Sequence, residues 1–421
     1  MKIHVGLHLH DKLNNSGMRK LYILILLFVF HISLFSYAQQ DITTIAAKTI
    51  TADSIKVGAQ RTELYFPKLK GKNVAVVANH TAMIGKTHLV DSLVGAGIAV
   101  KKIFCPEHGF RGTADAGEAI KSTVDSKTGI PLVSLYGKHL KPKASDLKGI
   151  DIVIYDIQDV GVRFYTYIST MTYVMEACAE NNVEFLVLDR PNPNGYYVDG
   201  PVLEKEYSSF VGLHPVPIVY GLTIAEYACM VNDEGWLKNE VKCKMKYVTV
   251  DNYNHTYYYI LPIAPSPNLP NMTSVYLYPS LGLFEGTVIS VGRGTDLPFQ
   301  VIGNPDIKNG NYTFTPVSKP GAINPPFLGI KCNGFKLGDF ADLYIKNLRH
   351  IYLFWLTALY KDFPDKANYF NTYFDKLAGT TKLREQIIAG TSEEDIRKSW
   401  QSDIDKFKLI RKKYLLYPDF E

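Results

Sequence analysis

The sequence predicts an α/β fold: a parallel β-sheet covered by helices, then a smaller, mixed and helix-rich C-terminal lobe. Three observations predict it. From residue 73 onward, short apolar runs alternate with segments of helical period. Those runs are apolar at nearly every position, as strands buried on both faces are. From Asp339 onward the runs give way to helical patterns.

The elements follow in order. Residues 73–79 (NVAVVAN) are the first strand, 88–96 a helix ended by Gly97, and 100–104 the second strand. Residues 131–135 and 151–155 (DIVIY) are the third and fourth strands. A helix over 170–181 places Met171, Val174, Met175 and Cys178 on one face, and 184–188 (EFLVL) is the fifth strand. Thr223 and Glu226 form a capping box that opens a helix through Val231. Strands separated by helices imply parallel pairing with both faces covered. Residues 261–305, rich in Pro, Gly and Asn, read as structured loop with short strands joining two lobes. Helices are expected over 342–359, 382–389 and 393–415, the last capped by Ser392. The expected domains are a lead-in over 39–70, a first domain over 71–264 and a second over 265–421.

Residues 1–38 stand apart. Met18-Arg19-Lys20 is a basic start, 21–35 an apolar run, and Ser36-Tyr37-Ala38 a small-x-small cleavage site. Together they predict a secretory signal peptide behind a short upstream extension, hence export to the periplasm or beyond the cell. The run is shorter than the ~20 residues that span a bilayer, so no stable membrane insertion is expected after cleavage.

Composition narrows the function. The 421 residues are 46% hydrophobic and 21% charged, which excludes a disordered or coiled-coil chain. The net charge of +5 comes without a basic run or helix, so no nucleic-acid partner is expected. The 28 tyrosines are a high count. A tyrosine ring suits a sugar face or an interface, although most tyrosines are ordinary core and surface residues. The five cysteines form no C-x-x-C pair, which argues against a zinc or redox site; Cys105 as a nucleophile is the alternative to a small buried residue. No strand leads into G-x-G-x-x-G, and no P-loop, G-x-S-x-G or H-E-x-x-H is present, so neither a cofactor nor a catalytic metal is expected.

In open parallel sheets, ligands bind beyond the carboxyl ends of the strands. The polar clusters of this chain fall there. The first strand ends at Asn79, and the second runs into Glu107, His108 and Arg111. The fourth runs into Asp156, Gln158, Asp159, Arg163, Tyr165 and Tyr167, and the fifth into Asn192. Glu107, between Pro106 and His108-Gly109, has the rigid setting of a general acid. It equally fits a turn cap or a partner of Arg111. Asp156 and Asp159 are candidates for a second catalytic carboxylate, a hard-ion site or a scaffold held by Arg163. Arg163 and, from the other lobe, Arg293 are candidates to grip a carboxylate on an acidic sugar; each also has an internal partner available, Arg293 in Glu285 or Asp296.

PEHGFRG at 106–112, TGIPLVSLYG at 128–137 and DIQDVGVRFYTY at 156–167 resemble the NamZ (YbbC-like) family of exo-β-N-acetylmuramidases. So do LDRPNPNG at 188–195, PSPNLP at 265–270 and FEGTVISVGRGTDLPF at 284–299. The resemblance implies a Rossmann-like first lobe, a smaller second lobe and a cleft between them. It implies removal of terminal N-acetylmuramic acid (MurNAc) from the non-reducing end of peptidoglycan fragments, with Glu107 as general acid. The partner it implies is a saccharide of the MurNAc-GlcNAc type. One departure is Val219-Tyr220-Gly221, where the family pattern has Arg-His before Gly; Tyr220 then replaces a substrate contact. The competing functions are a non-catalytic muropeptide-binding protein and a metal-dependent esterase or amidase on the lactyl-peptide region, its metal at Asp156 and Asp159.

Overall fold

The computed structural model describes residues 48–107, 109–111 and 124–421. Six strands form the main sheet: β1 (Asn73–Ala78), β2 (Ala99–Cys105), β3 (Leu132–Ser134), β4 (Ile152–Asp156), β5 (Glu184–Leu188) and β6 (Met245–Val248). All neighbours pair in parallel, in the order β3-β2-β1-β4-β5-β6. That is the order of doubly wound sheets, in which the chain steps outward from β1 in both directions. Five of the six strands lie where the apolar runs predict them. Val74 through Ala78 have no exposed surface, because helices cover both faces.

The sixth strand carries no such run. Met245-Lys246-Tyr247-Val248 exposes its middle two residues, as a short edge strand blunted by lysine does.

Helices α1 (Leu89–Gly95), α2 (Tyr167–Glu180) and α3 (Ile224–Asp233) connect the strands. Thr223 and Glu226 close the expected capping box: the Thr223 N–H donates to Glu226 Oε2 at 2.8 Å, and the Glu226 N–H donates to Thr223 Oγ1 at 3.4 Å.

The segment expected to be loop over 261–305 is more ordered than its composition suggests. It contains α4 (Met272–Leu281), capped by Asn271, whose Oδ1 accepts from the Ser274 N–H at 3.0 Å. Pro279 lies inside α4, and residues 274–281 are all buried, so no single apolar stripe marks the period of the helix. Strand β7 (Val301–Asn304) follows and joins β8 (Tyr312–Phe314) and β9 (Cys332–Lys336) in a small antiparallel sheet of order β7-β9-β8.

The helix expected over 342–359 is broken. Arg349 is left-handed at φ +52°, and α5 (Phe354–Asp362) starts afresh beyond it. Between them the Ile351 N–H donates to Asp199 Oδ2 at 2.7 Å and the Tyr352 N–H to Ser280 Oγ at 2.9 Å. Side-chain acceptors thus replace the helical carbonyls.

Helices α6 (Tyr373–Ala378), α7 (Lys382–Ala389) and α8 (Glu393–Arg411) complete the chain; Ser392 caps α8 as expected, accepting from the Asp395 N–H at 3.1 Å. The tail beyond α8 returns to the parallel sheet. The Tyr417 hydroxyl donates to Asp189 Oδ2 at 2.5 Å, and the Leu416 N–H donates to Glu226 Oε1 at 2.8 Å.

Candidate active site

At the carboxyl ends of β2, β3 and β4 lies a cavity of about 280 Å³. Its size suits a single sugar ring, just under the ~300 Å³ at which small-molecule sites ordinarily begin. Glu107 arrives from the end of β2, Tyr136 from two residues past β3, Tyr165 from the loop that leads from β4 into α2, and Tyr167 from the first position of α2. The other wall comes from the second half of the chain. It includes Ser266, Asn268, Tyr278 on α4, Glu285, Arg293 and Tyr373 at the start of α6.

Two carboxyl groups and a guanidinium meet there. The Arg293 Nε–H donates to Glu285 Oε1 at 2.8 Å, and Nη2 lies 2.7 Å from the same oxygen. Burial works against the guanidinium charge, but the Glu285 and Glu107 carboxylates outweigh it and raise its pKa. Arg293 also covers the Phe299 ring at 5.1 Å. Gly292 and Gly294 on either side of it are both at φ +78°. A Cβ at Gly294 would stand 2.6 Å from the Val317 carbonyl oxygen, so this Gly-Arg-Gly turn tolerates no larger flanking residue.

The hydroxyls stay neutral. Burial and then the adjacent Glu107 carboxylate, to which its hydroxyl is hydrogen-bonded, push the Tyr136 phenol well above its usual range. Tyr373 is pushed up to about 12 by burial, then by Glu285 and Glu107. Five tyrosines line the cavity and act as hydrogen-bond donors and flat apolar faces. Other tyrosines, among them Tyr155, Tyr196 and Tyr259, are core residues.

The structure thus brings together Glu107, Tyr165, Tyr167, Glu285 and Arg293 of the predicted residues. His108 lies outside the described residues. Asn79 stands behind the wall: its Nδ2 donates to the Tyr167 hydroxyl at 3.1 Å and orients that ring.

The remaining candidates are turned inward. Arg163 is fully buried, and its Nη1 and Nη2 donate to the carbonyls of Pro201, Val216, Leu377 and Ala378 at 2.6–2.9 Å. Its fork is spent on the chain itself and is closed to a substrate carboxylate. Asp156 forms a two-point pair with Arg190, at 2.6 and 3.0 Å. Asp159 accepts from the Tyr220 hydroxyl and from the Gly161 N–H; burial pushes its carboxyl up to about 6. Neither aspartate lines the cavity, they do not share a site, and Tyr220 serves Asp159 and makes no cavity contact. Gln158 donates to the Asp159 and Pro191 carbonyls, and Asn192 to the Leu222 carbonyl. Arg111 pairs with Asp125 through two 2.9 Å bonds, which removes it as a partner of Glu107. Asp296 is exposed and pairs with Lys319. Cys105 is buried, its thiol pushed up to about 12 by that burial, unlike an activated nucleophile.

Sequence reasoning missed Tyr136, Ser266, Asn268, Tyr278, Phe299 and Tyr373. Tyr136, Ser266, Asn268 and Phe299 fall inside the quoted motifs, so a signal was present for them. For Tyr373, more than 260 positions beyond Glu107, there was none.

Cleavage of a glycosidic bond asks for a carboxyl group held beside a space of sugar size, and by that measure this α/β protein is a glycosidase. Residues 74–273 match the family model described as exo-beta-N-acetylmuramidase NamZ, N-terminal, and residues 276–417 match its C-terminal counterpart. The chain belongs to the NamZ exo-β-N-acetylmuramidase family. A curated relative, peptidoglycan beta-N-acetylmuramidase NamZ of Bacillus subtilis, is 40% identical over 380 residues, which are 84% of this chain and 89% of that protein. A crystal structure of a DUF1343 family protein from Bacteroides fragilis is 48% identical, with a TM-score of 0.81 over 87% of this chain and 99% of that one. A second DUF1343 protein from the same organism is 31% identical, with a TM-score of 0.72 over 86% and 99%.

Proposed function

We propose that this protein is an exported exo-β-N-acetylmuramidase that removes terminal β-1,4-linked MurNAc from the non-reducing end of peptidoglycan fragments, with Glu107 as the general acid. The observation that carries the reading is the place of Glu107: at a strand end, in a cavity of single-sugar size, under the Tyr136 hydroxyl. Glu107 gives its proton to the glycosidic oxygen as the bond to C1 breaks, so the aglycone leaves as a neutral alcohol. Tyr165 and Tyr278 offer ring faces to the sugar. Arg293 binds the lactyl carboxylate that distinguishes MurNAc from GlcNAc; among the described residues its Nη1 donates no hydrogen bond, so that nitrogen remains for the substrate. Export rests on the basic, apolar and small-x-small pattern of residues 18–38.

The test is hydrolysis of a chromogenic β-MurNAc glycoside beside its β-GlcNAc analogue, with wild-type enzyme and Glu107→Gln. Release from the MurNAc glycoside and not from its GlcNAc analogue by the wild type, with cleavage of the MurNAc-GlcNAc disaccharide lost in a folded Glu107→Gln variant, is the expected result. Binding of MurNAc without turnover by the wild type would return the protein to the muropeptide-binding class. Export is checked on protein recovered outside the cytoplasm, whose first residue should be Gln39.

A further inference from the structure

A glycosidase needs more than an acid. As the bond to C1 breaks, positive charge builds on C1 and the ring oxygen, and a second carboxylate ordinarily faces it. The sequence candidates for that role were Asp156 and Asp159. The structure removes both from the cavity, one into a pair with Arg190 and the other against Tyr220.

We propose that Glu285 is the second catalytic carboxylate of this site, the anionic partner of Glu107. The assignment rests on the glycosidase reading above. Glu107 and Glu285 are the two carboxylates that line the cavity among the described residues, and they come from opposite halves of the chain. Their settings differ in the way that the two tasks require. Glu107 is hydrogen-bonded to a neutral phenol, whereas Glu285 is held against a guanidinium by two nitrogens at 2.7 and 2.8 Å. A guanidinium bound along one oxygen fixes the direction in which the carboxyl group faces the cavity. Both contacts fall on Oε1, and among the described residues Oε2 accepts no hydrogen bond. A pair of carboxyl groups in contrasting surroundings is the usual division into proton donor and anion.

The sequence of events balances. The C1–oxygen bond breaks, its electron pair goes to the leaving oxygen, and that oxygen takes the Glu107 proton. Glu285 remains ionised and meets the charge left on C1. Water then closes the bond to C1, and its surplus proton returns to Glu107. Arg293 is a positioning residue for Glu285 in this scheme as well as a ligand for the lactyl group.

The experiment compares two leaving groups. An activated 2,4-dinitrophenyl β-MurNAc glycoside needs little help from an acid, whereas the natural MurNAc-GlcNAc disaccharide needs it fully. Glu107→Gln should lose the disaccharide and be impaired far less on the activated substrate, where only the proton transfer from water is missing. Glu285→Gln, which retains an acceptor for Arg293, should lose ~10²–10³-fold in kcat on both. Formate added to Glu285→Ala should restore part of the rate by supplying a carboxylate in the space vacated. That rescue keeps the test decisive if the truncation also weakens the fold. A Glu285→Gln enzyme within tenfold of wild type in kcat on the activated substrate, or one altered only in KM, overturns the assignment while leaving the glycosidase intact. No release by the wild-type enzyme from either substrate overturns the glycosidase reading, and this proposal with it.

Discussion

Arg293 presents Nε and Nη2 to a single oxygen of Glu285, at 2.8 and 2.7 Å, so one edge of the guanidinium is tied down and, among the described residues, Nη1 donates no hydrogen bond. The tie fixes both side chains on the cavity wall. It also makes a selectivity prediction. MurNAc and GlcNAc differ by the lactyl group alone, so any damage that Arg293→Met does to the rest of the site acts on both sugars. The ratio of kcat/KM for their aryl glycosides should therefore isolate the carboxylate contact. Hydrogen bonds to a charged group are worth about 1.5–3 kcal/mol, so the ratio should fall ~10- to 100-fold. A ratio that survives the substitution would place the lactyl contact elsewhere on the wall.

Arg163 gives the opposite expectation. Its guanidinium closes the C-terminal end of α6 by binding the Leu377 and Ala378 carbonyls, and it joins them to Pro201 and Val216. Burial pulls its pKa down to about 9, while the four carbonyls and the helix end favour the charged form at neutral pH. Arg163→Met should lower the melting temperature strongly, because breaking a buried charged network costs about 3–5 kcal/mol. KM of the folded fraction should change by no more than a few-fold. An arginine that gripped the substrate would show the reverse, a raised KM with stability intact.

The contrast between these two arginines shows how far the sequence could be read. Strands β1 to β5 were legible because each is an apolar run buried on both faces, and a run of that kind has few other uses. Their carboxyl ends were legible for the same reason, which is why Glu107, Tyr165 and Tyr167 were found. What a strand-end residue faces was not legible. Arg163 and Arg293 each sit among glycines and aromatics in a conspicuous motif. One is buried because α6, more than 200 positions later, brings its last carbonyls to it. The other stays open because its turn projects from a different wall. The same holds for Asp159, whose hydroxyl donor Tyr220 lies 61 positions away. Pairings of this range depend on tertiary packing, which no local pattern encodes. Helix α4 and strand β6 escaped for simpler reasons: the first is too uniformly buried to show a period, and the second too exposed to show a run.

Asp189 should give the stability of this enzyme a distinctive pH dependence. Its carboxylate lies where the C-terminal tail meets the sheet. It accepts from the Tyr417 hydroxyl at 2.5 Å and the Ala225 N–H at 3.0 Å, and the Glu226–His255 pair and Tyr253 pack close by. Burial pushes the carboxyl up to about 7; the Tyr417 hydrogen bond opposes that rise, and the Glu226 charge adds to it. An unfolded aspartate titrates near about 3.9, so the folded protein holds this proton more tightly than the unfolded chain does. The resulting stabilisation is fully present below about pH 4. It is lost as pH rises toward 7, because the unfolded state gives up its proton first, and the loss levels off above that value. Asp159, pushed up to about 6, acts in the same direction, and acid-labile pairs such as Arg111–Asp125 act in the other. A single substitution separates the terms. Asp189→Asn removes one titration and nothing else that ionises, so its melting temperature minus that of the wild type should grow steadily from pH 4 to pH 7 and then stay constant. A difference that is flat across that range would mean that Asp189 is already ionised in the folded protein at pH 4, with the Tyr417 and Ala225 hydrogen bonds outweighing burial.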